Sequence, residues 1–173
     1  MKRTIAFFLT LCCCASLFAA RGKTTPPGWF DDYEAATEKA QKENKPMLIL
    51  FTGSDWCGFC IKLRKNALDK GDFRGFAKKN LVLVFVDSPR KTKLSAELVE
   101  QNRSLKTKFG ARGGVPETLI VSPDEKVIGR IGGCPKNPAD YLKKVKRIVK
   151  SGGAPADDGP DDRKPPRRKR GKK

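Results

Sequence analysis

The sequence has no histidine. That single absence removes imidazole metal ligands, Cys-His nucleophilic dyads and Ser-His-Asp triads together. Acidic residues are scarce too: 19 stand against 37 lysines and arginines, a formal net charge of +18 over 173 residues. Usable cysteine is scarcer than the total of six suggests, because Cys12, Cys13 and Cys14 all lie in the first twenty residues. Only Cys57, Cys60 and Cys134 remain beyond them, and three thiols cannot build a four-sulfur zinc site within one chain. No metal and no cofactor is expected.

What is present begins with MKRTIAFFLTLCCCASLFAA: basic Lys2 and Arg3, an apolar run from Ile5 to Phe18, then small Ala19 and Ala20. The run is shorter than the roughly 20 residues of a spanning helix. Its order of features is that of a secretory signal peptide cut after Ala20. The expected destination is the periplasm or the medium, and an uncleaved signal would hold the chain at a membrane instead. A lipoprotein cut fits poorly, since no Gly, Ala or Ser precedes any of the three cysteines. Export implies an oxidising compartment.

Residues 21–28 read as a polar linker and 29–150 as one domain, which the 38% hydrophobic content can supply with a core. Phe30, Tyr33, Ala36 and Ala40 recur at helical spacing up to Lys45. The run MLILF after Pro46, and later LVLVFVD, are continuous apolar stretches that suit strands buried on both faces. CGFCIKLRKNALDK is helical in character up to Gly71, DFRGFAKKN adds a short helix, and Leu94–Lys108 reads as another. TLIVS and KVIGRIGG form a hairpin about Pro123-Asp124-Glu125, and a last helix spans about Asn137 to Lys150. This order predicts an α/β fold, its first two strands parallel through a right-handed crossover. From Ser151 to Lys173 there are eight basic and four acidic residues and almost nothing apolar. Such a segment cannot offset the entropy of ordering and is expected to be a disordered basic tail.

The stretch SDWCGFC places two cysteines three apart between a buried strand and a helix. A thiol with a pKa near about 8.5 gives little thiolate at neutral pH. At the first turn of a helix, unsatisfied N–H groups and the dipole favour the anion. Cys57 would then be the exposed nucleophile, and Cys60 would attack a mixed disulfide formed there. Lys62 and Lys65 either add to the positive field or face solvent. A permanent Cys57–Cys60 bridge is the alternative, although so small a loop gains little from chain entropy.

WCGFC after MLILFTGSD, a Val115-Pro116 pair before a strand and hairpin, and a closing amphipathic helix resemble the thioredoxin superfamily over residues 29–150. The pattern is most similar to exported bacterial thioredoxin-like proteins with an FTGSDWCG-type segment. The resemblance implies a thioredoxin-like fold, a central mixed sheet with helices on both faces and an added N-terminal helix. It implies Cys57 as nucleophile and Cys60 as resolving thiol. It also implies substrate contacts at Trp56, Val115 and Pro116, with Pro116 in cis facing the cysteines. An ordinary strand-start proline is the alternative at Pro116. Two positions depart from the pattern. Phe51 stands where thioredoxins bury an aspartate, and Gly-Phe replaces Gly-Pro between the cysteines.

The reading that follows is an exported thiol–disulfide oxidoreductase with protein disulfides or dithiols as substrates and a further redox partner. A redox-inert binding module and a glutaredoxin-like reductase are the rivals; the latter rests on GGVPETLIV and IGRIGGC. The tail would reach an anionic surface, and export argues against a nucleic-acid target. Cys134 is either a half-buried residue of a Gly-rich turn or a third reactive thiol at the site's rim.

Overall fold

A computed structural model describes residues 24–111 and 114–152. The expected signal peptide of residues 1–20 and all but the first two residues of the expected basic tail lie outside these. The chain runs through α1 (Tyr33–Glu43), β1 (Met47–Thr52), α2 (Gly58–Leu63), a π-helical turn (Arg64–Leu68), α3 (Gly71–Asn80) and β2 (Val82–Asp87). It continues through α4 (Ala96–Lys108), β3 (Glu117–Val121), β4 (Val127–Gly132) and α5 (Pro138–Ser151). Local chemistry sets the boundaries. Asp32, Ser95 and Asn137 cap α1, α4 and α5 with side-chain oxygens that accept otherwise orphaned amides. Pro138 occupies the first turn of α5, where its missing N–H costs nothing. Asn44 ends α1 in the left-handed region.

The sheet order is β2-β1-β3-β4, with β1 and β2 parallel and the other pairs antiparallel. Every residue of central β1 is buried. Alternation divides it: Leu48 and Leu50 face a core shared with the α2–α3 region and α5, while Met47, Ile49 and Phe51 face α1 and α4. Each large apolar side chain so buried contributes about 1.5–3 kcal/mol as an upper figure. The strand that ends at the cysteine segment is therefore held by core packing on both of its faces. This is the expected thioredoxin-like α/β fold, helices covering both faces of a mixed sheet.

Three local expectations change. Phe30 is not helical; its amide donates to Leu83 O and its carbonyl accepts from Phe85 N, a parallel bridge along β2. Gly71 opens α3 rather than closing the preceding helix, whose last turn is π-helical. Residues just before Trp29 pack onto the domain: Pro26 is buried and the Thr25 hydroxyl donates to Asp31.

Candidate active site

β1 delivers the chain to Gly53, whose carbonyl accepts from Cys57 N at 2.9 Å and turns the backbone into α2. Cys57 is the N-cap of α2, and its sulfur accepts the Cys60 amide at 3.2 Å. The two cysteines are joined as a disulfide with Cα atoms 5.2 Å apart. Both are buried, Cys57 keeping 7% of its surface and Cys60 only 2%. Cys57 is therefore not exposed as expected; it is the less buried of the two residues. Lys62 and Lys65 are exposed.

Apolar side chains near the pair in sequence stand open to solvent. Trp56 is 38% and Phe59 67% exposed, and Ile61 is exposed as well. From the other side comes the β3 approach. The Val115–Pro116 bond is cis, and the Val115 carbonyl oxygen lies 3.6 Å from the Cys57 sulfur. Val115 is half-buried and Pro116 buried. The Gly133 amide donates to Pro116 O at 2.8 Å, which ties the end of the hairpin to this loop. Cys134 follows directly, half-buried against the core and outside any disulfide.

A second set of contacts was not legible in the sequence. The Trp56 indole lies on Gly53 and donates Nε1–H to Ser88 O at 2.7 Å. The Arg90 guanidinium stacks 4.0 Å from the indole centroid. Asp55 accepts the amides of Arg90, Lys91 and Thr92 at 2.9, 2.7 and 3.2 Å. These bonds, the Arg90 amide foremost, hold its carboxyl below the usual aspartate range. Asp87, buried at the end of β2, accepts the Ser54 amide and hydroxyl, and Asn102 of α4 donates to its carbonyl. Lys106 reaches the Ser88 hydroxyl at 2.8 Å. The loop after β2 is thus fastened to Ser54–Trp56 from several directions. The signal for it was a lone acid ending an otherwise apolar strand.

Beneath the site, Phe51 is fully buried among apolar side chains. Its cross-strand neighbour on β3 is Glu117, a buried carboxylate paired with Arg130 at 3.2 Å. No carboxylate occupies the Phe51 position itself. A vicinal pair of this kind interconverts between dithiol and disulfide, moving two electrons and two protons.

A model of the thioredoxin-like family matches residues 28–123. The disulfide bond reductase DsbH of Chlamydia pneumoniae is 35% identical over 150 residues, which span 82% of this chain and 90% of that protein. The thioredoxin-related protein DsbJ of the same organism is 34% identical over 104 residues, 60% of this chain but 30% of that longer protein. Among solved structures, a DsbH oxidoreductase superposes with a TM-score of 0.66 at 34% identity, covering 73% of this chain and 90% of that one. A thioredoxin from Thermus thermophilus shares the fold, with a TM-score of 0.57 at 19% identity over 73% of this chain and 89% of its own.

Proposed function

This chain belongs to the thioredoxin-like family and is a thiol–disulfide oxidoreductase; from that premise we propose that it is exported and reduces disulfides in other proteins, Cys57 attacking and Cys60 resolving. The carrying observation is the Cys60 amide aimed at the Cys57 sulfur, with Cys60 the more deeply buried of the two. An N–H directed at sulfur favours its anion, which is the attacking form. The reductive direction is supported by the relative that is a disulfide bond reductase and 35% identical.

In the reduced protein, the Cys57 thiolate attacks one sulfur of the substrate disulfide. That S–S bond breaks, a Cys57–substrate bond forms, and the other substrate sulfur leaves as thiolate. Cys60 then attacks the Cys57 sulfur, and its proton passes to the departing substrate thiolate. The second substrate thiol is released and the Cys57–Cys60 disulfide remains. Two electrons have moved to the substrate, and a donor dithiol restores the pair. Trp56 and Phe59 present apolar surface to the incoming chain, and Val115 and Pro116 form the facing wall. The leader of residues 1–20 directs export, and the basic segment 151–173 gives attraction to an anionic surface.

The reduced protein should precipitate insulin by cleaving its interchain disulfides, and Cys57→Ser should abolish this. A Cys57–Cys60 potential near about −270 mV fits a reductase; one near about −120 mV would mark an oxidant and overturn the direction.

A further inference from the structure

Next to Arg90, which stacks on Trp56, the loop after β2 and α4 line an open cleft of about 570 Å³. Val99, Arg103 and Lys106 recur at helical spacing along one wall, and Arg90 and Lys93 stand on the other. Four cations thus line the cleft against one carboxylate, Asp87, which is engaged by the Ser54 amide and hydroxyl. Among the described residues, the Arg103 guanidinium pairs with Glu100 of its own helix, at 3.5 Å with both side chains well exposed. Such a pair contributes little in water. On the same wall the apolar Val99 is 50% exposed.

We infer that this cleft receives an acidic, extended segment of the protein whose disulfide is reduced, so that Arg90, Lys93, Arg103 and Lys106 select substrates with carboxylates near the cysteine. The inference rests on the oxidoreductase reading and adds a substrate class to it. Continuity with the redox centre carries it: Arg90 stacks on Trp56, and Lys106 reaches Trp56 through Ser88. The spread of the cations favours a chain over a small anion, which would need converging donors. The α4 wall from Val99 to Lys106 is about 10 Å long at about 1.5 Å per residue. That length spans about three residues of extended chain. Charged clefts also raise encounter rates, by about 10- to 1,000-fold at low salt.

The test uses disulfide-linked peptides with three acidic, neutral or basic residues on either side of one cysteine, and neutral hydroxyethyl disulfide as a small substrate. Lys93→Glu/Arg103→Glu should lower kcat/KM for the acidic peptides about tenfold at low salt, leave kcat and hydroxyethyl disulfide reduction unchanged, and improve the basic peptides. The double variant Lys79→Glu/Lys144→Glu, on exposed positions across the sheet, should do none of this. Separately, the acidic peptide with serine for cysteine should bind the oxidised wild-type protein and shift NMR signals of residues 88–106, weakening as salt rises. Equal treatment of all peptides by wild type, or equal losses in both double variants, overturns the inference. So does tighter binding of a single-stranded oligonucleotide at the same residues. If wild type fails even on hydroxyethyl disulfide, the oxidoreductase reading falls, while the serine peptide still decides whether the cleft binds acidic chain.

Discussion

Gly53 and Trp56 are in contact as closely as a glycine allows: a Cβ added to Gly53 would overlap the indole ring. The indole can therefore lie flat on the backbone just before Cys57, with its N–H on Ser88 and its face under Arg90. Residue 53 is glycine because the tryptophan three positions on occupies its side-chain space.

Gly53→Ala should push the indole off its seat and cut the Ser88 bond. We expect a red-shifted tryptophan emission, a several-fold loss of insulin reduction and a destabilisation of about 1–3 kcal/mol, as for other overpacked sites. Unchanged emission and activity would show that Trp56 does not depend on this contact.

Asp55 is expected to control the loop that carries Arg90. Its carboxyl sits below the ordinary aspartate value of about 3.9, so the contribution it makes is present above that value and is lost as pH falls through the lowered one. The amide proton shifts of Arg90, Lys91 and Thr92 should titrate together with a midpoint below about 3.9. Asp55→Ala should remove that titration and free the loop without unfolding the domain.

Much of the fold was legible because its signals are local. The runs MLILF and LVLVFVD announce buried strands, and the strand–Cys–helix order announces the redox pair. Phe30 was misread because its spacing to Tyr33 and Ala36 fits a helix, while its bridge to β2 depends on Leu83 and Phe85, far along the chain. Contacts of Asp55, Ser88 and Arg90 with the active-site segment were invisible for the same reason. They join residues more than thirty positions apart, and nothing in periodicity encodes such a pairing. Glu117 faced a different obstacle. A carboxylate opening a strand reads as exposed, and only the hairpin register brings Arg130 to it.

Tyr141 of α5 is fully buried, its hydroxyl 2.8 Å from that of Thr118 on β3. Tyr141→Phe should cost about 1–3 kcal/mol in urea denaturation, because it leaves the Thr118 hydroxyl without that partner. Burial raises the phenol's pKa above its ordinary value of about 10. The unfolded phenol therefore ionises first, and wild-type stability should be full below about pH 10 and decline above it. The Phe variant should show a shallower alkaline decline. Parallel slopes would mean that Tyr141 ionises as freely in the fold as outside it.

The most direct test of the central claim is capture of the intermediate. Reduced Cys60→Ser protein, mixed with a disulfide-bonded protein substrate and quenched with acid, should yield a covalent adduct through Cys57. Mass mapping should find it, and dithiothreitol should release it. Cys57→Ser, treated in the same way, should give none. An adduct at Cys60 in the Cys57→Ser protein, with none in its counterpart, would reverse the roles; no adduct in either would contradict disulfide exchange at this site altogether.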